Sequence, residues 1–210
     1  MSANPTQLTA EVEYALGVAR FMPDQGSWTL DAYLEATDGI RGVEFVDGRL
    51  EFLPMASEIH QAIIELFFDL IREAIRRRGE GKARLAGLRV STGEKRIREP
   101  DIVVLLDSKD PRRRNRYWRG ADLAVEVVSD DAKDRVRDYE TKFQEYAAAG
   151  FAEYWIIDYQ EDLVLVNRLV GDRYEEAGRY TRGDVAKSVL LEGFEVGVDQ
   201  LFAEADNVPE

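Results

Sequence analysis

The chain has 210 residues, of which 45% are hydrophobic, and its formal net charge is −13. A chain of this size and apolar content can bury one sizeable core, so we expect one main domain over residues 27–210. The lack of cysteine excludes disulfides, thiolate metal sites and cysteine nucleophiles, and the net charge disfavours tight non-specific binding to a polyanion.

Residues 1–26 are predicted to be an N-terminal extension with a short helix, from about Thr9 to Phe21. This segment has no basic region followed by an apolar run, and no stretch of the chain approaches the roughly 20 apolar residues of a membrane span. We therefore expect a cytoplasmic protein without a membrane partner.

Local signals predict the elements of the first half. Thr29 is a plausible N-cap for a helix, and Asp47-Gly48 lies between two alternating runs, which is the strongest short-range hairpin signal. From Ser57, apolar residues recur at spacings of three and four, which predicts a long amphipathic helix. This helix is predicted to end at Arg76-Arg77-Arg78-Gly79, because basic residues favour the last turn and Gly favours the position after it.

The second half alternates strands with one further helix. We expect a strand at about 84–91, buried strands at 98–107 and 121–128, and a hairpin of 153–159 with 163–169. Short strands near 173–180 and 187–191 and a helical turn near 199–202 complete the chain. A helix over about 133–149 is predicted from an apolar stripe that comprises Val136, Tyr139, Phe143, Tyr146 and Ala147. This order predicts a mixed α/β fold in which one sheet is flanked by helices.

Two of these apolar strands each carry one carboxylate where a buried strand should have none. Asp101 lies at the start of the first run and Glu126 lies inside the second, on the same face as Ala124 and Val128. A charge in a buried strand costs several kcal/mol unless a partner or a metal compensates it. If the two strands are neighbours, their carboxylates can converge and hold Mg²⁺ or Mn²⁺, the ions that an oxygen-rich set without thiolates favours.

A purely structural explanation of these residues also has to be considered. Asp101 could cap a turn while Glu126 pairs with an arginine. Asp138 and Lys142 stand four residues apart on the second predicted helix, with Lys142 at the boundary of the apolar stripe. They could therefore form an ordinary surface pair, worth only a few tenths of a kcal/mol.

Basic residues concentrate on both sides of the Asp101 run. Residues 72–98 contain 10 Lys or Arg against 3 Glu, and residues 109–119 contain 6 against one Asp. They form either two solvated segments or an electropositive groove on an otherwise acidic protein, in which Arg112, Arg113 and Arg114 could contact DNA.

Several short motifs, in a fixed order, resemble the Uma-two family of restriction endonucleases, which belongs to the PD-(D/E)XK nuclease superfamily. The motifs are Glu44-Phe-Val-Asp-Gly-Arg-Leu, His60-Gln61, Pro100-Asp101, Glu126-Val-Val128, Asp138-Tyr-Glu-Thr-Lys142 and the segment from Tyr146 to Trp155. The resemblance runs from about Thr29 to Phe202. It implies a restriction-endonuclease-like sheet and a divalent-metal-dependent cleavage of DNA.

The resemblance also assigns roles to individual residues. It makes Asp101, Glu126 and the backbone carbonyl of Val127 the metal ligands. The family lysine often stands two residues after the acidic residue, where this chain has Val128, and Lys142 looks like its migrated substitute. Glu44 resembles the acidic residue that supports the metal shell. His60 matches a recurring position, where either an auxiliary role or no catalytic duty is consistent with the sequence.

An alternative function from another class stays open. A nuclease fold can be retained as an inactive module for nucleic-acid binding or protein interaction, and the acidic net charge is compatible with this. General hydrolase chemistry has no nucleophile motif or phosphate loop in the chain. A homodimer also stays open, because the aromatic segment at Tyr154, Trp155 and Tyr159 could form a core or an interface, with the core favoured.

Overall fold

A computed structural model describes residues 22–129 and 131–209 of the chain. The helix predicted at Thr9–Phe21 lies outside the described residues. The strands in chain order are β1 Val43–Val46, β2 Arg49–Phe52, β3 Lys82–Leu85, β4 Val90–Gly93, β5 Arg96–Arg98, β6 Ile102–Leu105, β7 Leu123–Val127, β8 Glu153–Asp158, β9 Leu163–Val170, β10 Arg173–Thr181, β11 Val185–Lys187 and β12 Glu195–Gly197. The helices are α1 Leu30–Ala36, α2 Glu58–Arg78, α3 Ala132–Val136, α4 Lys142–Ala148 and α5 Val198–Asp206, with a π-turn at Arg137–Thr141 between α3 and α4.

The core is a six-stranded mixed sheet in the order β10-β9-β8-β7-β6-β3. Its pairs are antiparallel except β7 with β8, which the α3–α4 segment connects as a crossover. One face packs on α2 and α5 through residues such as Phe67, Trp155 and Phe202, and the other packs around Tyr146 and Tyr154. The predicted mixed α/β sheet with flanking helices is confirmed.

A smaller four-stranded sheet, in the order β2-β1-β5-β4, packs with α1 around Tyr33 and Phe45. Its β1–β2 hairpin turns at Asp47 and Gly48, both at positive φ (47° and 81°), as the Asp-Gly signal predicts. Thr29 caps α1 as expected, since its side chain accepts a hydrogen bond from the Ala32 N–H.

The single strand predicted at 84–91 is wrong. The chain leaves the large sheet after β3, turns at Gly87 (φ 88°), and enters the small sheet as β4. The predicted run 98–107 is likewise divided, with β5 ending at Arg98 and β6 beginning at Ile102. Pro100 between them has no N–H to offer a ladder, so Asp101 lies at the junction of the two sheets.

The long helix α2 has the predicted ends. The Ser57 side chain accepts a hydrogen bond from the His60 N–H, and Gly79 (φ 79°) donates to the carbonyls of Ile75 and Arg76. Its apolar stripe faces the large sheet through Ile63, Phe67 and Ile71.

The second predicted helix is interrupted by the π-turn at Arg137–Thr141, where the Lys142 N–H donates to the Arg137 carbonyl. One extra residue in a turn shifts the helical phase by roughly 100°. Residues before the turn therefore leave the predicted stripe. Val136 is 52% exposed, whereas Tyr146 and Ala147 are buried as expected.

The C-terminal part contains the predicted β8–β9 hairpin and β10. The strand predicted at 187–191 is displaced to β11, because the N–H groups of Val189 and Leu190 donate to the Glu153 side chain and not to a strand. Tyr154 and Trp155 are fully buried within the chain, so this segment is core. Among the described residues, no helix has the length and apolar character to cross a membrane.

Candidate functional site

A cleft of about 330 Å³ opens where the two sheets meet. Its lining comes from the start of α2, the β3–β4 connection, the residue before β6, the end of β7 and the π-turn segment. Five residues predicted from the sequence line this one cleft: His60, Asp101, Glu126, Val127 and Lys142.

Asp101 is fixed to the end of β7. Its Oδ2 accepts a hydrogen bond of 2.8 Å from the Val127 N–H, the residue after Glu126. The antiparallel β6–β7 pairing, with Ile102 opposite Val125, brings the two carboxylate-bearing strand ends together. Asp101 therefore bridges to the neighbouring strand and does not cap a turn. Its other oxygen, Oδ1, accepts no hydrogen bond from the described residues.

Glu126 is 2% exposed and has two partners. The Tyr146 hydroxyl donates to Oε1 at 2.6 Å, and the Lys142 ammonium lies 2.9 Å from Oε2. The pKa of Glu126 is raised to about 8, mainly by burial; Lys142 lowers this pKa, whereas the negative charges of Asp101 and Asp138 raise it. The structural explanation predicted an arginine as the partner of Glu126. The partner is instead Lys142, which lines the same cleft.

Lys142 reaches this position from the first residue of α4. Its Nζ also lies 3.1 Å from Oδ1 of Asp138, and both side chains are 2% exposed, so the surface-pair interpretation is wrong. Burial lowers the pKa of Lys142, but Asp138 and Glu126 outweigh it and raise the pKa above its ordinary value. Lys142 is therefore a buried side chain within the cleft whose charged form is favoured.

His60 connects the start of α2 to the same strand ends. Its Nε2 lies 3.0 Å from the Val127 carbonyl oxygen and 3.3 Å from Asp101 Oδ2, while its buried Nδ1 has no hydrogen-bond partner in the described part of the chain. Burial lowers the pKa of His60, but the Asp101 carboxylate raises it to a net value above the ordinary range. A proton on Nε2 lets one ring hold both of these oxygens in place.

Glu44 lies behind the cleft and is itself fully buried within an ion-pair network. Arg98 Nη1 is 2.7 Å from Glu44 Oε2 and also 2.7 Å from Glu51, and the same guanidinium binds Glu145 of α4 through two further hydrogen bonds. Glu44 also accepts the Glu99 N–H at 2.9 Å. Its predicted support of the metal shell would therefore act through Arg98 and Glu145 on the helix that carries Lys142.

The cleft contains further polar residues that sequence reasoning did not assign a role. Arg137, on the π-turn, lies with its Nε 3.6 Å from Asp138 and its Nη1 2.6 Å from Asp134. Arg41 also lines the cleft and has no ion pair among the described residues. For the cluster of Asp138, Lys142 and Tyr146, the available signal in the sequence was their four-residue spacing, because side chains four residues apart share a helix face.

The donor atoms suit a hard divalent cation. Asp101, Glu126 and Asp138 place three carboxylates in the cleft with Lys142. Burial is the main cause of the raised pKa of Glu126, and the neighbouring Asp101 and Asp138 add to it. In the described part of the chain, no three His, Asp or Glu side chains form a complete metal cage. Mg²⁺ is usually bound through one or two carboxylates together with waters and substrate phosphates, and the cleft provides the carboxylates.

The three predicted DNA-contacting arginines are separated by the structure. Arg112 pairs with Asp110 at 2.7 Å and with Asp122 at 2.5 Å, which fixes the loop between β6 and β7. Arg113 and Arg114 instead line a second cleft.

Comparisons with known proteins agree with this architecture. The family model for Uma2, described as "Putative restriction endonuclease", matches residues 21–199. A crystal structure of "a putative nuclease belonging to DUF820" from Anabaena variabilis superposes with a TM-score of 0.68 at 23% identity, covering 84% of this chain and 98% of that chain. At this identity the likeness establishes the fold alone. Among curated proteins, no relative matches the chain.

Proposed function

This chain belongs to the Uma2 family, and on that premise we propose that it is a metal-dependent endonuclease that hydrolyses phosphodiester bonds in DNA, with residues 27–210 as its nuclease domain. The observation that carries the proposal is the convergence of Asp101, Glu126 and the Val127 carbonyl with a buried, charged Lys142 in one cleft. Serine, cysteine or histidine nucleophiles are not needed for such a hydrolysis.

Asp101, Glu126 and the Val127 carbonyl oxygen would hold Mg²⁺ or Mn²⁺. When bound, such an ion lowers the pKa of a coordinated water and neutralises charge that develops on the scissile phosphate. The carboxylates are held ready for this by the chain itself. Val127 N–H and His60 orient Asp101, and Tyr146 orients Glu126. Burial, together with Glu126, raises the pKa of Tyr146 well above its usual value, so its hydroxyl stays a donor.

Lys142 acts as a point charge. Because its ammonium stays protonated, it cannot serve as the general base, but it can orient the attacking water and stabilise the extra negative charge of the transition state. Asp138, four residues earlier, holds the ammonium from its other side and directs it towards Glu126.

Arg137 and Arg41 are positioned to bind the substrate phosphate. They line the cleft from different parts of the chain, and a planar guanidinium matches two phosphate oxygens at once. Glu44 and His60 act as positioning residues: Glu44 through Arg98 and Glu145, and His60 through Asp101.

Supercoiled plasmid nicking in the presence of Mg²⁺ or Mn²⁺ tests the proposal. We expect cleavage by the unaltered chain and its loss in Asp101→Asn and Lys142→Met, by roughly 10²–10³-fold or more. Asp69→Asn removes an exposed carboxylate of α2 outside the cleft and is the matched control, with no expected change.

The competing function predicts a different result. An inactive nuclease-fold module would bind DNA or a protein while cleaving neither plasmid nor single-stranded DNA with either ion. That outcome, obtained with folded protein, would replace the nuclease proposal.

A further inference from the structure

A second cleft, of about 450 Å³, lies beside the first and is mainly basic. We call it the basic cleft. It is lined by Arg84, Leu88, Lys109, Asp110, Pro111, Arg113, Arg114, Asn115 and Trp118. The side chains come from β3, from the segment before β4 and from the loop between β6 and β7, so residues distant in sequence build it.

Its four cations are uncompensated. Among the described residues, none of Arg84, Lys109, Arg113 and Arg114 forms an ion pair. Arg84 and Arg114 donate only to the backbone carbonyls of the preceding residues, at 2.8 and 3.0 Å. Arg113 donates to the Ser108 carbonyl, and its buried Nε has no hydrogen-bond partner in the same part of the chain.

The acidic residue of the basic cleft does not neutralise these charges. Asp110 accepts three hydrogen bonds from the Arg112 side chain, which is not part of the lining. Elsewhere on the surface some exposed arginines are paired with carboxylates, as in Arg72–Asp69 and Arg182–Asp206, while others, such as Arg49 and Arg173, form no ion pair with the described residues. The basic cleft differs because four unpaired cations share one lining. On a chain of net charge −13, four unpaired cations around one depression indicate a site for an anion.

The basic cleft adjoins the candidate catalytic cleft across one short piece of chain. Arg84 lines the basic cleft, whereas Leu85, Ala86 and Gly87 line the catalytic cleft. Three residues span at most about 11 Å, which is roughly three base-pair steps along a DNA strand. The Ala86 N–H donates to the Asp101 carbonyl at 2.8 Å, so this connection is attached directly to a catalytic residue.

The sheet does not block a path between the two clefts. β3 is the last strand of the six-stranded sheet, so its outer side has no further strand against it. Arg84 lies opposite Val103 and Leu85 opposite Ile102, and these neighbours face opposite sides of the sheet. A polyanion can therefore pass around this edge from one cleft to the other.

We propose that the basic cleft binds backbone phosphates of the DNA that flank the scissile position, which makes long duplexes better ligands than short ones. This inference rests on the proposed nuclease function for the position of the cut. The proposed binding does not depend on base sequence, because arginine and lysine contacts to phosphates position the DNA without reading its bases.

The test removes exposed charge and, apart from it, only the local hydrogen bonds of Arg84 and Arg114 to the preceding carbonyls. The triple variant Arg84→Gln, Lys109→Gln, Arg114→Gln is compared with the unaltered chain for binding a fluorescein-labelled 20-base-pair duplex by anisotropy in metal-free buffer. If three phosphate contacts are lost, the slope of log K against log salt should fall by about 2.7, and binding should weaken by up to about 500-fold at 0.1 M salt. A dinucleotide, too short to reach from one cleft to the other, should lose much less.

A matched control separates the site from overall charge. The variant Arg168→Gln, Arg173→Gln, Lys187→Gln removes the same charge from exposed positions on β9, β10 and β11 and should bind the duplex unchanged. No DNA binding by the unaltered chain, an equal loss in this control, or binding of polyglutamate in place of DNA would overturn the inference.

Failure of the nuclease proposal gives a separate signature. Hydrolysis of bis(4-nitrophenyl) phosphate with Mn²⁺ needs only the catalytic cleft, so the triple variant should retain it. If DNA binding depends on the basic cleft but neither this diester nor plasmid is cleaved, the nuclease proposal fails and the DNA-binding site stands.

Discussion

Two buried glutamates on adjacent parallel strands show how the same residue type can serve structure or chemistry. Glu126 lies near the end of β7 and Glu153 at the start of β8, so they lie at opposite ends of these paired parallel strands. Both are at most 2% exposed, and each would be costly as an isolated charge. What differs is the nature of their partners.

Glu153 is satisfied by neutral donors. Its two oxygens accept hydrogen bonds from Trp155 Nε1, the Ser188 hydroxyl and the N–H groups of Val189 and Leu190, at 2.5 to 2.8 Å. These contacts attach the segment after β11 to the sheet. A carboxylate that is filled in this way has no capacity left for a ligand, so we infer that its role is structural.

Glu126 is satisfied only in part. It has one neutral donor, Tyr146, and otherwise depends on an ammonium that it shares with Asp138, while Asp101 adds a further negative charge. Repulsion among the neighbouring carboxylates of Glu126, Asp101 and Asp138 is relieved when a divalent ion binds. The difference between the two glutamates therefore lies in the surroundings and not in the burial.

The largest expected effect is on cleavage. Glu126→Gln should lower the rate of plasmid nicking by about 10³-fold, or roughly 4 kcal/mol of transition-state stabilisation, because it removes an anionic ligand without changing shape. Glu153→Gln should stay within about threefold of the unaltered chain. Equal losses in both variants, with both folded by circular dichroism, would contradict the distinction.

The second prediction concerns stability, for which Glu153 is expected to matter more than Glu126. Glu153→Ala should lower the free energy of unfolding by about 3 kcal/mol, because several buried donors lose their acceptor. For a domain of this size that corresponds to a fall in Tm of about 6–12 °C. Glu126→Gln should change stability by about 1 kcal/mol or less, since it resembles the protonated side chain that burial favours. Urea unfolding measures both, and a larger loss for Glu126→Gln would be inconsistent with a functional site.

The sequence alone identified Glu126 as a candidate functional residue, but it did not reveal the partners of Glu153. Glu126 was found because a charge inside the apolar run Ala121–Val128 conflicts with burial. The same applies to Asp101. Features with local causes were also predictable, including the Thr29 and Ser57 caps and the Asp47-Gly48 turn, because their hydrogen bonds join residues close in sequence.

Features with distant causes were not predictable. The Glu153 acceptor displaces a predicted strand 35 residues away, which no periodicity reveals. The Arg98 network joins Glu44, Glu51 and Glu145 across three elements, and the π-turn changes the helical phase between Val136 and Lys142. In each case the structure depends on long-range contacts that outweigh local preference.

The third prediction concerns the cation that Glu126 and Asp101 share. Mg²⁺ or Mn²⁺ at about 100 times its Kd should stabilise the protein by about 2.7 kcal/mol, which corresponds to a rise in Tm of about 5–10 °C. Glu153→Ala should show the same rise from its lower starting point, and Asp101→Asn should show almost none. Differential scanning fluorimetry with and without the ion measures this. A rise that persists in Asp101→Asn would mean that the ion binds elsewhere.

The smallest expected effect is confined to acid pH and concerns Glu44, a third buried glutamate that is neutralised by arginine. Burial raises the pKa of Glu44, but the charges of Lys142 and Arg98 and the Glu99 N–H outweigh it, so the net pKa lies below the ordinary value of 4.5. A depressed carboxyl pKa stabilises the folded state above the unfolded pKa, and this contribution disappears as the pH falls through the folded pKa.

The difference in urea midpoint between the unaltered chain and Glu44→Gln should therefore be constant from pH 5 to 7 and shrink below about pH 4.5. Glu51→Gln, at the exposed end of the same Arg98 network, is the control. Its urea midpoint should follow that of the unaltered chain nearly unchanged below pH 4.5. If the difference for Glu44→Gln stayed constant down to pH 3, Glu44 would not be held as an anion, and its positioning role through Arg98 would have to be abandoned.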